Sequence, residues 1–214
     1  MKKNYIAFTM AEVLITLGII GVVAAMTFPG LLGHYQKKST AVKVQKFYTI
    51  FNQAMMLAKV ENGEYKDWIY TDTEFLCRNF IIKHFKTLNV ETNVQISGSF
   101  SDGVAVTLVD GSQFVCTKRI NGAWQGDILA CVYLAKSLIK KEDFWDYGKM
   151  KGSRNIFWFV MNKDTGMLEP SYMDRGDDFL KERCTSENPG GNAYFTCSTL
   201  LYKNSWEFPK DYPW

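Results

Sequence analysis

Few residues in this chain have types and spacings that could do chemistry. Its two histidines, His34 and His84, have no sequence neighbours that would suggest a triad or a metal cage. No Walker-type phosphate loop, GxSxG or HExxH run occurs. The five cysteines, Cys77, Cys116, Cys131, Cys184 and Cys197, include no CxxC spacing, so neither a zinc ribbon nor a dithiol redox motif is supported. No enzyme activity and no cofactor are expected. Two acidic features remain. One is the run Asp174-Arg175-Gly176-Asp177-Asp178, and the other is a single carboxylate, Glu12, in an apolar setting.

That setting is unusual for the chain. Its 214 residues are 47% hydrophobic and 22% charged, with five prolines and 16 glycines. Its mean hydropathy is −0.15. Those averages exclude a disordered, low-complexity, collagen-like or polytopic membrane protein. A net charge of +3 is too small to argue for nucleic-acid binding. Yet from Phe8 to Leu32 there are 25 residues with one charge, Glu12. Lys2 and Lys3 precede the run, and Lys37 and Lys38 come after it. A helix of roughly 20 apolar residues spans a bilayer.

Three readings of this segment compete. A secretory signal would be cut after a small residue such as Ala25, but a charge inside so short an apolar region weakens it. A plain single-span anchor must also accommodate Glu12, at about 2.5 to 3.5 kcal/mol or less near a helix end. In the third reading, cleavage precedes the apolar run. There Met1 to Ala7 is a short basic leader, small Ala7 is its last residue, and Phe8-Thr9-Met10-Ala11-Glu12-Val13-Leu14-Ile15 opens the mature chain.

The third pattern resembles the class III signal of type IV pilins and type II secretion pseudopilins, over about the first 35 residues. Ala7 stands for the usual glycine and Met10 for the usual leucine. Gly18, Gly21 and Pro29 fall where pilin helices carry helix-softening residues. The resemblance implies a fold, a processing route and an assembly. A membrane prepilin peptidase would cut between Ala7 and Phe8 and N-methylate Phe8. Glu12 would pair with the terminal amine of a neighbouring subunit, because a carboxylate in an apolar bundle needs a partner. The plainer alternative is that Glu12 snorkels to the headgroups. The implied partners are other pilin or pseudopilin subunits, the peptidase, an inner-membrane assembly platform and, before assembly, lipid. The implied location is the bacterial inner membrane, with the C-terminal domain outside the cytoplasm, and then a pilus or secretion filament. A membrane-anchored extracytoplasmic binding module that uses such a signal only for export is the alternative. Some secretion pseudopilins bind calcium near the C-terminal end. Asp174, Asp177 and Asp178 offer oxygens for it, although a solvated surface loop explains that run better.

The elements are read from periodicity. Pro29, with Gly30 and Gly33, should kink or locally melt the helix. Beyond it, Val44, Phe47, Tyr48, Phe51, Ala54, Met55 and Ala58 recur at the spacing of one buried helix face, opposite Lys37, Lys38, Lys43, Lys46, Gln53 and Lys59. Asn62-Gly63 ends it. The expected division is a leader over 1–7, a membrane or filament-core half of the helix over 8–33, an amphipathic half over 34–62, and an α+β domain over 63–214 with a small antiparallel sheet.

Within that domain, 72–87 reads as a short helix capped by Asp72 or Thr73. Strands are expected over 94–100, 104–109 and 112–117, with turns at Ser101-Asp102-Gly103 and Asp110-Gly111, and then over 128–134 and 155–161. Met167 to Pro170 returns beside the last of these, and the tail from Ala193 to Phe208 packs partly as a short helix. Lys136 to Tyr147 is a mixed connector. The strands after Ile128 and the tail containing Cys197 to Leu201, Trp206 and Trp214 resemble the same family more loosely.

With this domain across a membrane, cysteine pairing is allowed. Cys184 and Cys197 enclose a loop through Pro189-Gly190-Gly191, and a disulfide there would contribute about 3 kcal/mol. Cys116 with Cys131 is a second possible pair, which leaves Cys77 as a buried thiol. Trp124, Trp145, Trp158, Trp206 and Trp214 read mainly as core fillers.

Overall fold

The computed structural model describes residues 9–94, 100–119, 129–134, 155–184, 195–210 and 212. The chain divides into two compact units, Met1–Lys38 and Ser39–Trp214.

The described residues of the first unit are helical from Met10 onward. Helix α1 (Met10–Asn62) starts here, and its residues up to Lys38 belong to this unit. Leu14, Ile15, Leu17, Ile19, Ile20 and Phe28 are all exposed. Its most apolar window has a mean hydropathy of 2.1 with none of it buried, and the helix is long and apolar enough to cross a membrane. The expected local melting at Pro29 does not occur, since α1 is continuous through it. A proline removes one backbone donor, and the turns on either side keep theirs.

In the second unit α1 becomes one-sided. Of the stripe expected from the sequence, Val44, Phe47, Phe51, Ala54, Met55 and Ala58 are buried and Tyr48 is half-buried, and Ala41 extends it by one turn. The helix ends where Gly63 takes φ +82° and donates to the Lys59 carbonyl at 2.9 Å. A left-handed residue at this position closes a helix at little cost only when it lacks a Cβ.

The rest is a meander. Strands β1 (Thr87–Val94), β2 (Phe100–Leu108), β3 (Gln113–Arg119), β4 (Leu129–Leu134), β5 (Ile156–Met161) and β6 (Leu168–Pro170) form one sheet in sequence order. Every neighbouring pair is antiparallel. This is an α+β arrangement, a long N-terminal helix followed by a small antiparallel sheet. One face of the sheet packs on α1. Phe47 lies 4.5 Å from the Tyr133 ring, 5.4 Å from Phe114 and 5.9 Å from Phe159, centroid to centroid. Such aromatic clusters contribute beyond their buried area.

The tail packs beside β5 and also reaches the α1 side of the sheet, where Leu201 joins the core of Phe47, Phe157 and Phe159. Helix α2 (Thr73–Leu76), capped by Asp72, runs on through a π turn (Cys77–Ile81) and a 3₁₀ turn (Ile82–His84). Helices α3 (Asp177–Arg183) and α4 (Cys197–Lys203) come after the sheet. Ser198 donates to the Trp158 carbonyl, Thr199 to the Ser171 carbonyl and Thr196 to the Leu180 carbonyl, so three buried hydroxyls fix α4 in place. The disulfide Cys184–Cys197 is present and ties α3 to α4.

Three expectations are corrected. Ser101-Asp102-Gly103 is not a turn but part of β2, and the irregularity that Gly103 signals is a register shift between Ser101 and Val104. The first strand starts at Thr87 rather than 94, and along it Leu88, Val90 and Val94 alternate with Asn89, Glu91 and Asn93, the period of a strand with one apolar face. The acidic run is not all loop, since Asp177 and Asp178 form the first turn of α3. The connector 136–147, residues 95–99, and Trp124, Trp145 and Trp214 lie outside the described residues.

Candidate functional site on the N-terminal helix

Glu12 lies three residues after Thr9, and the two side chains cap α1 reciprocally. Thr9 N–H donates to Glu12 Oε2 at 2.8 Å, and Thr9 Oγ1 donates to the same oxygen at 2.8 Å. Glu12 N–H donates back to Thr9 Oγ1 at 3.2 Å, and the Thr9 carbonyl accepts from Val13 N–H at 3.3 Å. The first amides of a helix have no partner within it, and a Thr-x-x-Glu box supplies one to each end of the turn. Thr9 is the residue that the sequence reading missed, although the spacing Thr9-Met10-Ala11-Glu12 carries the signal.

The placement has an electrostatic consequence. A carboxylate in the first turn is favoured by the helix dipole, so Glu12 stands at the end of an apolar helix where a negative charge is best tolerated. It is exposed, as are the side chains from Met10 through Val22. Gly18 and Gly21 leave open space where a Cβ would stand. Ala7 and Phe8, the expected cleavage and methylation residues, lie outside the described residues.

The other expected site residues behave differently. Asp174 lies 3.6 Å from Arg175, and Asp177 lies 3.7 Å from Lys203. No group of three His, Cys, Asp or Glu residues among those described is placed to hold a metal ion. The calcium expectation for Asp174, Asp177 and Asp178 therefore finds no support in the geometry, where two of the three carboxylates face cations of their own chain. Cys116 and Cys131, the second expected pair, are thiols with Sγ atoms 3.0 Å apart. That is beyond bonding distance, roughly 2.05 Å. Cys77 is a buried thiol, as expected. His34 is exposed. His84 is largely buried, with Nε2 3.8 Å from the Glu61 carboxylate and no hydrogen bond. Trp158 is buried, and Trp206 packs on Tyr48 at 5.1 Å.

A cavity of about 270 Å³ opens beside α1 in the second unit. Lys43, Lys46 and Lys86 stand around it with Asp110, over Phe47 and Tyr133. Lys46 lies 4.0 Å from the Asp110 carboxylate. Burial, the largest single effect on Asp110, works against its charge, but the hydrogen bonds from Ser112 with the nearby Lys46 and Lys43 together outweigh it and hold the carboxyl below the usual carboxylate range.

The model of a family described as "Family of unknown function (DUF6613)" matches residues 30–214. The chain belongs to that family. No curated protein and no solved structure matches it. The family match begins at Gly30, so Thr9 and Glu12 precede it.

Proposed function

We propose that this DUF6613 member is a pilin- or pseudopilin-type subunit. Its N-terminal helix leaves the membrane and packs with copies of itself in a filament after a prepilin peptidase has removed residues 1–7. The observation that carries this reading is the position of Glu12. It is the one charge in the apolar run from Phe8 to Leu32, and it sits in the first turn of α1. A lipid-facing carboxylate is costly, whereas one that meets the terminal amine of a neighbour is neutralised, and this sets the register between subunits. The box with Thr9 supports the reading, because it keeps the carboxylate at the helix start, where the neighbour's amine would arrive. The α+β unit that comes next is compatible with a pilin-like domain, built on the amphipathic half of the same helix.

The test is assembly of Glu12→Val in the native host. Membrane insertion should persist while filaments, or their cross-linked dimers, are lost. Filaments at wild-type level would overturn the reading.

A second reading is a single-pass anchored binding module. The cavity bordered by Lys43, Lys46 and Lys86 favours it. Under that reading Glu12→Val leaves function intact, and Lys46→Glu abolishes it.

A further inference from the structure

Cys116 and Cys131 are direct partners across the β3–β4 ladder. Their sulfurs are 3.0 Å apart, and both residues are fully buried. Cys77, also fully buried at the start of the π turn, lies in the same core cluster. Three thiols thus meet in the core of a chain that already holds one disulfide, Cys184–Cys197. Such density of thiols is unusual beside a formed disulfide, because a compartment that oxidises one pair oxidises other pairs in reach.

We infer that Cys116 and Cys131 are a second oxidation site, closed in the exported protein as a cross-strand disulfide, with Cys77 left as the single thiol beside it. The inference rests on the exported reading of the second unit. Register selects the pair. Cys116 and Cys131 are held opposite one another by ladder bonds on both sides, from Gln113↔Leu134 to Lys118↔Leu129. Cys77 approaches from a helical turn outside the ladder.

The chemistry needs an oxidant, namely a thiol oxidoreductase in its disulfide form. The Cys116 thiolate attacks one sulfur of that disulfide, forming a mixed disulfide and displacing one oxidant thiolate. The Cys131 thiolate then attacks Cys116 Sγ, which forms the Cys116–Cys131 bond and releases the second oxidant thiolate. Two electrons pass from the cysteines to the oxidant, and the two cysteine protons end on its two sulfurs. The reaction must precede folding. In the folded core no oxidant reaches the sulfurs, and burial pushes all three thiols up, away from the reactive thiolate.

The test uses the full chain extracted from host membranes, denatured without reductant, alkylated with N-ethylmaleimide and digested for mass spectrometry. One adduct, on Cys77, with linked Cys116–Cys131 and Cys184–Cys197 peptides, is the expected result. Three adducts, on Cys77, Cys116 and Cys131, with Cys184–Cys197 still linked, overturn the inference and leave the exported reading standing. Five adducts overturn both. A link from Cys77 to either partner overturns the assigned pairing.

Discussion

Asn52, on the buried face of α1, completes the edge strand β6 through both backbone groups of Leu168. Asn52 Nδ2 donates to the Leu168 carbonyl at 3.2 Å, and Leu168 N–H donates to Asn52 Oδ1 at 2.7 Å. An edge strand exposes a row of unpaired backbone groups, and here a helix side chain stands in for the missing neighbour. Asn52→Leu therefore leaves a buried donor and acceptor unmet. The expected loss is about 2 to 3 kcal/mol, read as a lower denaturant midpoint with an unchanged slope. An unchanged midpoint would contradict the role.

Gly166 closes the β5–β6 turn with φ +69°, and a Cβ there would lie 2.7 to 2.9 Å from Tyr65 side-chain atoms. Gly111, in the β2–β3 turn, has a similar φ of +77° but open space around it. Both Gly→Ala changes incur the left-handed penalty of about 1 to 2 kcal/mol. Gly166→Ala adds overpacking, about 1 to 3 kcal/mol more. Thermal melts of the two variants should rank Gly166→Ala below Gly111→Ala, and equal melts would contradict the contact.

Tyr48 packs among Tyr202, Trp206 and Phe159. Burial first, and then the neighbouring Tyr202, push its hydroxyl up to about 12. The folded state thus disfavours the phenolate. The stabilisation this gives is complete below the ordinary tyrosine value near 10 and is lost as pH rises toward 12. In an ultraviolet phenolate titration, the difference between wild type and Tyr48→Phe should appear near pH 12 in the native protein. A difference centred near the ordinary tyrosine value would show an unburied Tyr48.

Thr9 and Glu12 separate capping from charge. Glu12→Gln keeps a residue type that serves in the capping box but removes the charge. Thr9→Val keeps the charge and weakens the helix start by about 1 kcal/mol. Under the filament reading, Glu12→Gln loses assembly and Thr9→Val retains it. The opposite pattern in a pelleting assay would make capping the whole role of Glu12.

Some features are legible in the sequence because their causes are local. The Asp110-Gly111 hairpin is visible because a tight turn demands a left-handed residue, and the α1 stripe because a helix face repeats every three or four residues. The box between Thr9 and Glu12 is equally local, yet the apolar surroundings of Glu12 mask it by making its charge the dominant signal. Other features depend on partners distant in sequence. Nothing near Asn52 announces Leu168. β1 does alternate, with Leu88, Val90 and Val94 against Asn89, Glu91 and Asn93, but its register shifts between Thr87 and Asn89 and between Glu91 and Val94, and Leu88 is left exposed. Asp177 and Asp178 read as loop because acidic residues suit both loops and the first turn of a helix. The helix they open becomes apparent only in three dimensions, where the Cys184–Cys197 disulfide ties its end to α4.

The central claim is that the apolar run is kept and the residues before it are removed. Mass spectrometry of the mature N-terminus, on protein extracted from host membranes, tests this most directly. The filament account predicts a chain that begins at N-methylated Phe8. A terminus at Met26, after cleavage behind Ala25, or an uncut Met1 would contradict it.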